Sequence, residues 1–264
     1  MPSIHETAIV EEGANLADDV IVGPYTFISK NATLKSGVEV MQGAQIYGVT
    51  KIGEDTKVYP YAIIGMPPQD TGYKKEDNVS VEIGRGNTIR EFVTINAGSL
   101  NGGGVTRIGS NCFIMIYCHI AHDCQIGNNV IMANNATLAG HVHVGSFTVI
   151  GGMTPIHQFV HIGEGVMIGG ASAVSQDIPH FCLAEGNRAV VRGLNKVGLK
   201  RRFEKEDIVA IQTAYRVLFR SENAIKETAA QLLMSEKNEK VLQLCNFIME
   251  SKRGIPYERK TNDE

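Results

Sequence analysis

Histidines and one carboxylate are concentrated in a single part of the chain. The groups, in chain order, are residues 118–124 (CHIAHDC, with His119, His122 and Asp123), Gly140 with His141, and His157 with Gln158. A neutral imidazole that a carboxylate orients is a good general base near neutral pH. The arrangement therefore suggests that His122, directly followed by Asp123, removes a proton from a substrate.

An aliphatic residue recurs at every sixth position around these groups. The repeat runs from Ile4 to Ile64 and from Ile108 to Val174, and the residue two positions earlier is usually small. This period does not fit a helix of 3.6 residues per turn, but it fits short strands joined by turns. Three hexapeptides make one triangular coil, so the pattern predicts a mainly β fold, a parallel β-helix. Glycine often follows the aliphatic residue, where we expect it to let the chain turn a corner.

Two insertions interrupt the repeat, near residues 65–82 and 98–104. If each insertion replaces one ordinary turn, counting in threes places five corners on one edge of the prism. These corners follow Ile64, Ile95, Ile120, Leu138 and Ile156. The same edge then carries both insertions and the three histidine-bearing groups. Coils stack about 4.8 Å apart, so we expect these groups to lie within about 10 Å of one another.

Metal binding and disulfide formation are the alternatives for this region. His119, His122 and His141 could supply three nitrogens to a zinc ion, but no two of them occupy equivalent positions one coil apart. Three of the five cysteines are six residues apart: Cys112, Cys118 and Cys124. Because six is the repeat period, we expect small buried residues of a reduced protein. We therefore expect no metal.

Composition excludes several classes of protein. The 264 residues are 43% apolar and 20% charged, which is typical of a soluble globular protein. The net charge of -3 excludes a globally basic nucleic-acid binder. No apolar run is long enough for an integral membrane segment, and the N-terminus (MPSIHETAIVEEG) lacks a basic region followed by an apolar one. We expect a cytoplasmic protein.

The repeat fades after Val174, and helical spacing begins near Leu194. We predict a β-helix domain at residues 1–192 and a C-terminal α-helical domain at residues 193–264. Ser221 and Ser235 are the predicted N-caps of two of its helices. A helical cap would cover the strand edges that the end of a β-helix exposes.

A basic segment lies at the junction of the two domains, at residues 187–205 (NRAVVRGLNKVGLKRRFEK). Its cations are Arg188, Arg192, Lys196, Lys200, Arg201, Arg202 and Lys205, and only Glu204 opposes them. One interpretation is the solvated start of a helix. The other is an anion site, for a nucleotide diphosphate or an acidic protein partner.

Several motifs resemble those of a known family: CHIAHDC, ANNATLAGHV, GGMTPIHQF and GLNKVGLKRR. The family is the UDP-N-acetylglucosamine 3-O-acyltransferases, which begin lipid A synthesis in Gram-negative bacteria, and the resemblance covers essentially the whole chain. It implies a left-handed β-helix and a homotrimer with active sites in clefts between neighbouring prisms. The family reaction moves an R-3-hydroxyacyl chain from acyl carrier protein to the 3-hydroxyl of the sugar. The donor is carried on the phosphopantetheine of the carrier, so no further cofactor is expected.

The resemblance also implies residue roles. His122 would be the general base, Asp123 would orient it, and the backbone N–H of Gly140 would stabilise the oxyanion. The residues that would position the sugar nucleotide and the acyl donor are Asp70, His119, His141, His157 and Gln158. Those that would contact the nucleotide or the phosphopantetheine arm are Asn195, Arg201 and Arg202. Met167 and Gly170 match positions near the acyl-chain groove.

This sequence departs from the family pattern around the acceptor. Asn96 stands where many members have histidine, and Gly72 stands at the position of a family lysine, for which Lys74 is a candidate substitute. Val197 stands where an acidic residue is expected. We take Asn96 and Lys74 as substrate-binding candidates. The changes leave a 3-amino sugar nucleotide open as the acceptor, which would give an amide instead of an ester.

Three further alternatives remain at this point. A related hexapeptide acyltransferase could use another sugar nucleotide or a coenzyme A donor. A trimeric protein resembling the γ-carbonic anhydrases would use the histidines to bind zinc. A β-solenoid scaffold would need a regular flat face, whereas this chain interrupts its repeats along one edge.

Overall fold

Short strands joined by tight turns form a triangular prism, and helices cover one end of it. The computed structural model describes residues 1–258. In chain order the strands of this part are β1 (Ser3–Ile4), β2 (Ile9–Val10), β3 (Asn15–Leu16), β4 (Ile21–Val22), β5 (Phe27–Ile28), β6 (Thr33–Leu34), β7 (Glu39–Val40), β8 (Gln45–Ile46), β9 (Val49–Ile52), β10 (Lys57–Val58), β11 (Ile63–Met66), β12 (Ser80–Ile83), β13 (Thr88–Ile89), β14 (Thr94–Asn96), β15 (Val105–Ile108), β16 (Phe113–Ile114), β17 (His119–Ile120), β18 (Gln125–Ile126), β19 (Ile131–Met132), β20 (Thr137–Leu138), β21 (His143–Val144), β22 (Val149–Ile150), β23 (Pro155–Ile156), β24 (His161–Ile162), β25 (Met167–Ile168), β26 (Cys182–Glu185) and β27 (Val190–Leu194). The helices are α1 (Lys196–Arg202), α2 (Lys205–Arg220), α3 (Ile225–Ser235) and α4 (Glu239–Glu250), and a 3-10 turn spans Leu100–Gly102.

Every third strand of the prism belongs to the same parallel sheet. Sheet 1 begins with β1, sheet 2 with β2 and sheet 3 with β3, and the hairpin of β26 and β27 extends sheet 1. Sheet 2 contains β11, β14, β17, β20 and β23 in that order. The predicted parallel β-helix is therefore confirmed. The count in threes is confirmed as well, because both insertions and all three histidine-bearing groups follow strands of sheet 2. We call the edge between sheets 2 and 3 the site edge.

Stacked aliphatic side chains form the core of the prism. In sheet 2, Ile64 pairs with Ile95, Ile95 with Ile120, Ile120 with Leu138, and Leu138 with Ile156. Each of these side chains is buried. Burying one such side chain contributes roughly 1.5–3 kcal/mol, so the repeated column stabilises the register of the coils.

Glycine turns the corner after only some of the aliphatic residues. Gly65, directly after Ile64, has a left-handed φ of 86°, whereas in the three turns that carry the histidine groups the left-handed residues are Asp123, His141 and Phe159, with φ between 60° and 63°. Glycines directly after the aliphatic residue, such as Gly109 and Gly127, are needed for another reason. A Cβ added at either one would lie 2.6 Å from atoms of the next coil. The expectation that glycine turns the corner holds at Gly65 but is wrong at Gly109 and Gly127, whose role is to let successive coils approach closely.

The cysteines fit the interpretation as buried repeat residues. The sulfurs of Cys112, Cys118 and Cys124 lie 3.2 Å, 3.1 Å and 3.3 Å from backbone carbonyl oxygens of the following coil. Burial raises the pKa of Cys118 to about 11 and that of Cys124 to about 12. Both groups are therefore protonated thiols at neutral pH.

The N-caps of α3 and α4 differ from the prediction. Ser221 is the C-cap of α2, and Ser235 is the last residue of α3. Ala224 precedes α3 instead, because the hydroxyl of Ser221 accepts the N–H of Asn223 in a local turn. Asn238 caps α4, and its side chain accepts the N–H groups of two residues in the first turn.

A buried carboxylate joins the C-terminal segment to the end of the prism. One oxygen of Asp177 accepts the N–H of His161, and the other accepts the hydroxyl of Ser251 at 2.7 Å and the N–H of Arg253 at 3.3 Å. These bonds bring the residues after α4 back against the last coil.

No helix of residues 1–258 combines the length and apolar composition that a membrane span needs.

His180 at this junction makes stability depend on pH. Its Nδ1 accepts the N–H of Glu164 at 2.7 Å, and burial lowers its pKa to about 4. Between pH 4 and 6.5 the unfolded chain binds this proton and the folded chain does not, so acidification favours unfolding. We expect His180 to reduce the unfolding free energy by up to about 3 kcal/mol as pH falls from 7 to 4. Urea titrations at several pH values measure the unfolding free energy.

The His180→Gln variant keeps a hydrogen-bond acceptor but removes the titration. Its unfolding free energy should fall less between pH 7 and 4 than that of the wild type. Parallel pH profiles for the two proteins would show that His180 does not carry the effect.

Candidate active site

Three successive turns of the site edge bring the histidine-bearing groups together. His122 is the second residue after β17, Gly140 the second after β20 and Gln158 the second after β23. His141 and Phe159 follow in the left-handed positions. The pairing of β17 with β20 and of β20 with β23 fixes the vertical order of these groups.

Asp123 orients the imidazole of His122. The Nδ1 of His122 lies 2.8 Å from Oδ2 of Asp123, whose side chain is buried. A carboxylate can only accept, so the hydrogen of this bond belongs to Nδ1 of His122. In the neutral ring the other nitrogen, Nε2, then carries the free lone pair that can take a proton from a substrate.

The second insertion holds the carboxylate of Asp123 in place. The N–H of Ser99 lies 2.9 Å and 3.0 Å from its two oxygens, and the hydroxyl of Ser99 donates to Oδ2 at 2.7 Å. Gly102 packs so closely against the carboxylate that a Cβ there would overlap it. The N–H of Asp123 donates to Oγ1 of Thr106 at 2.8 Å. The sequence did not identify Ser99 or Thr106, although the place of the insertion on this edge pointed to a role.

Gly140 leaves room for the ring of His122. A Cβ added at Gly140 would lie 2.6 Å from Cε1 and 2.7 Å from Nε2 of His122. Within residues 1–258 no backbone acceptor is found for the N–H of Gly140, whereas the next N–H, of His141, donates to the carbonyl of His122 at 3.0 Å. The N–H of Gly140 is therefore available beside the reactive nitrogen.

His141 packs between His122 and the next coil. Its ring meets that of His122 edge-on, with centroids 5.0 Å apart, and stacks on Phe159 at 4.4 Å. Burial lowers the pKa of His141 below its usual value, and the charge of Asp123 opposes this only in part. The neutral form is favoured, in which the ring can both donate and accept a hydrogen bond. Phe159 is a further residue that the sequence did not single out.

His119 and Asp70 reach the same region from two sides. Nδ1 of His119 lies 2.7 Å from Oγ1 of Thr94 on the strand below, and burial together with His122 lowers the pKa of His119. Asp70 lies in the first insertion, and its charge acts on His141. Oδ1 of Asp70 accepts the N–H of Gly72 at 2.9 Å. Both candidates therefore lie close to the pair of His122 and Asp123.

One group of side chains in the described residues has spacing suited to a metal. Ligand atoms of His122, Asp123 and His141 lie within 4.8 Å of one another, and His119 is not part of this group. However, Oδ2 of Asp123 already accepts bonds from His122 and Ser99. A zinc ion would have to displace these donors, so the geometry favours the oriented general base.

Comparisons with known proteins identify the family of this chain. Residues 177–256 match the family model described as UDP-N-acetylglucosamine O-acyltransferase, domain 2, and residues 106–140 match bacterial transferase hexapeptide repeats. The acyl-[acyl-carrier-protein]--UDP-N-acetylglucosamine O-acyltransferase of Campylobacter lari is 56% identical over 99% of each chain. The solved UDP-N-acetylglucosamine acyltransferase of Campylobacter jejuni is 55% identical, with a TM-score of 0.93 and coverage of 97% and 100%. That of Acinetobacter baumannii is 36% identical, with a TM-score of 0.91 and coverage of 96% and 99%.

The chain belongs to this acyltransferase family. The sequence resemblance and the predicted mainly β fold with a helical C-terminus are thereby confirmed. In this chain the structure brings together His122, Asp123 and Gly140. The candidate positioning groups His119 and His141 lie beside them.

Asn96, one of the departures from the family pattern, supports the first insertion. Its Nδ2 donates to the carbonyl of Pro67 at 2.8 Å, at the start of that insertion. Its Oδ1 is buried and has no hydrogen-bond partner among the described residues. The other acceptor-side candidate, Lys74, is exposed, and its N–H donates to the carboxylate of Asp77. The structure therefore gives Asn96 a role in holding the loop.

His157 and Gln158 lie on the site edge but are exposed. Nδ1 of His157 is 3.1 Å from the carbonyl of Gln158, its own neighbour. Both are one coil beyond His141. They extend the site towards the helical end of the prism.

The remaining candidates are not on the site edge of this chain. Asn195 caps α1 by accepting the N–H of Gly198 and donates to Gly165, and Arg202 pairs with Glu164 and lies 4.1 Å from the ring centre of Phe147. These contacts are at the edge between sheets 3 and 1. Three other candidates lie elsewhere: Arg201 exposed on α1, Met167 on sheet 1, and Gly170 at the edge between sheets 1 and 2. One chain does not bring these five residues to His122.

Removing the hydroxyl of Ser99 should impair the enzyme through Asp123. Ser99→Ala deletes the 2.7 Å bond to a buried carboxylate that orients the general base. A hydrogen bond to a charged group contributes about 1.5–3 kcal/mol, so we expect about a tenfold loss of kcat/KM. Ser36→Ala is a matched control, because the hydroxyl of Ser36 also donates to a carboxylate at 2.7 Å, that of Asp19, but lies on another edge. Equal activities of the two variants would contradict this role of Ser99.

Adding a methyl group at Gly140 should displace the ring of His122. Gly140 does not have a left-handed backbone, so Gly140→Ala should keep the fold and lower kcat by roughly 100-fold through misplacement of the base. Gly193→Ala is the control, since no atom lies within 4 Å of a Cβ there. The two variants are compared by steady-state kinetics and thermal melting. A Gly140→Ala variant with wild-type kcat would show that ring placement is not limiting.

Proposed function

We propose that this protein transfers an R-3-hydroxyacyl chain from acyl carrier protein to the 3-hydroxyl of UDP-N-acetylglucosamine, the first step of lipid A synthesis. The observation that carries the proposal is the bond between Nδ1 of His122 and the buried Asp123, which turns Nε2 towards the N–H of Gly140 and leaves it without a bond to the carboxylate. Relatives named for this reaction are similar over the whole chain, which supports the choice of substrates.

In the proposed reaction, Nε2 of His122 takes the proton of the sugar 3-hydroxyl as its oxygen attacks the thioester carbonyl. The N–H of Gly140 donates to the oxyanion of the tetrahedral intermediate, and Asp123 stabilises the imidazolium that forms. Collapse of the intermediate breaks the carbon–sulfur bond, and His122 returns its proton to the carrier thiolate. The products are the acylated sugar nucleotide and the free thiol, and no further cofactor is required.

We further propose that the active protein is a homotrimer acting in the cytoplasm. Asn195, Arg201, Arg202, Met167 and Gly170 contact the substrates in this proposal, although they lie away from the site edge of their own chain. A neighbouring chain that presents these residues would complete each site. The site is then shared between two prisms, as the sequence resemblance implies.

The decisive test offers UDP-N-acetylglucosamine with R-3-hydroxyacyl carrier proteins of several chain lengths and measures the product mass. We expect an acylated sugar nucleotide, and a loss of kcat of about 100- to 10,000-fold in His122→Ala, the range of general acid–base catalysis. His5→Ala, which removes an exposed histidine of the first coil, is the control.

Three results would contradict the proposal. A His122→Ala variant with near-normal turnover would exclude the general base. Acylation of a 3-amino sugar nucleotide, with the hydroxyl sugar left unmodified, would change the acceptor. Stoichiometric zinc in the purified protein, with activity lost on its removal, would favour the metalloprotein alternative.

A further inference from the structure

A cavity of about 520 Å³ lies at the helical end of the site edge. Its lining includes His157, Ser175, Asn187, Arg188 and Arg253. His157 directly follows β23, two coils beyond the strand that precedes His122. At about 4.8 Å per coil, the cavity is therefore about 10 Å from the general base along the prism axis.

Three segments that are distant in sequence build this cavity. His157 comes from the last turn of the site edge, Arg188 from the turn between β26 and β27, and Arg253 from the segment after α4. The cations of the basic segment (residues 187–205) therefore lie in different places. Arg188 lines this cavity, whereas Arg202 pairs with Glu164 on another edge.

Hydrogen bonds hold the backbone at both arginines in place. The turn that carries Arg188 is tied to Ala173, whose N–H donates to Gly186 and whose carbonyl accepts the N–H of Ala189. Arg253 is held by the bond from its N–H to Asp177 and by a bond of 3.0 Å from its Nε to the carbonyl of Ser175. The terminal guanidinium nitrogens of Arg253 are not used in these bonds.

The lining is basic. In the described part of the chain, the residues that line the cavity include two arginines and a histidine but no aspartate or glutamate. Within residues 1–258, neither arginine forms an ion pair, unlike Arg192 and Arg202. Two guanidinium groups in one cavity repel each other unless an anion lies between them, and their planar donors match the oxygens of a phosphate.

We propose that Arg188 and Arg253, with His157, bind a phosphate group of a substrate. The inference rests on the proposed function, in which both substrates carry phosphate, the sugar nucleotide as a diphosphate and the donor as the phosphodiester of its pantetheine arm. Binding a phosphate at this end of the edge would direct the rest of the substrate down towards His122. Neither arginine touches the reacting atoms, so both are binding residues and should act on KM more than on kcat.

The test uses the full-length protein with Arg188→Gln, Arg253→Gln and the control Arg85→Gln, an exposed arginine in a turn between sheets 3 and 1. The KM for each substrate is measured with the other substrate at a saturating concentration. Loss of one bidentate contact should raise one KM by about 10- to 100-fold, with kcat changed less than threefold. A raised KM for UDP-N-acetylglucosamine assigns the diphosphate, and a raised KM for the acyl carrier protein assigns the pantetheine phosphodiester.

A direct measurement separates this proposal from the proposed function. Inorganic diphosphate is titrated into each protein by calorimetry, and we expect weaker binding to the two cavity variants than to Arg85→Gln. That result would support the site even if UDP-N-acetylglucosamine proved not to be the acceptor. Unchanged KM values and unchanged diphosphate affinity in folded Arg188→Gln would overturn the proposal while leaving the reaction intact.

Arg253→Gln also removes the bond to Ser175, so its thermal melting is recorded and Arg253→Lys is added. The lysine variant keeps a charge but cannot make the bidentate contact. If Arg253→Gln unfolds, Arg188→Gln alone decides the outcome, because the side chain of Arg188 is exposed and forms no hydrogen bond or ion pair with residues 1–258.

Discussion

Parallel hydrogen bonding between successive coils fixes the distances at the candidate active site. Each strand of sheet 2 pairs with the strand one coil away, so equivalent turn positions stack at a constant interval. His122 and Gly140 occupy such equivalent positions, which explains why the ring of one lies where a Cβ of the other would be. A change in the length of any turn between them would shift the two groups relative to each other, and the regular spacing of this stretch prevents that.

Burying Asp123 is costly, and the second insertion provides the compensation. A buried carboxylate is tolerated only when hydrogen-bond donors replace the lost water. Ser99 supplies its N–H and hydroxyl, and His122 supplies Nδ1–H. An ordinary hexapeptide turn has no residues to spare for this, because each coil continues at once into the next strand. The need to satisfy one carboxylate therefore gives a physical reason for an insertion on this edge.

Much of this arrangement could be predicted from the sequence, because a strict period translates directly into stacked positions. The edge that holds His122, Gly140 and His141 followed from counting in threes. The roles of Ser99 and Phe159 did not follow, since they depend on the path of a loop and on a ring stacking across coils. The caps of α3 and α4 were missed for a similar reason. A serine is a strong cap in general, but the hydroxyl of Ser221 bonds within its own turn instead.

The division of the candidate residues among three edges has a consequence for how substrates bind. One face of the prism is six residues long, which is at most about 20 Å, and its interior is filled by packed aliphatic side chains. A side chain on one edge cannot reach across this core to another edge of the same chain. A substrate that contacts both Met167 and His122 would therefore have to lie between two prisms. In the proposed homotrimer, the general base and the acyl-chain residues of one site would therefore come from different chains.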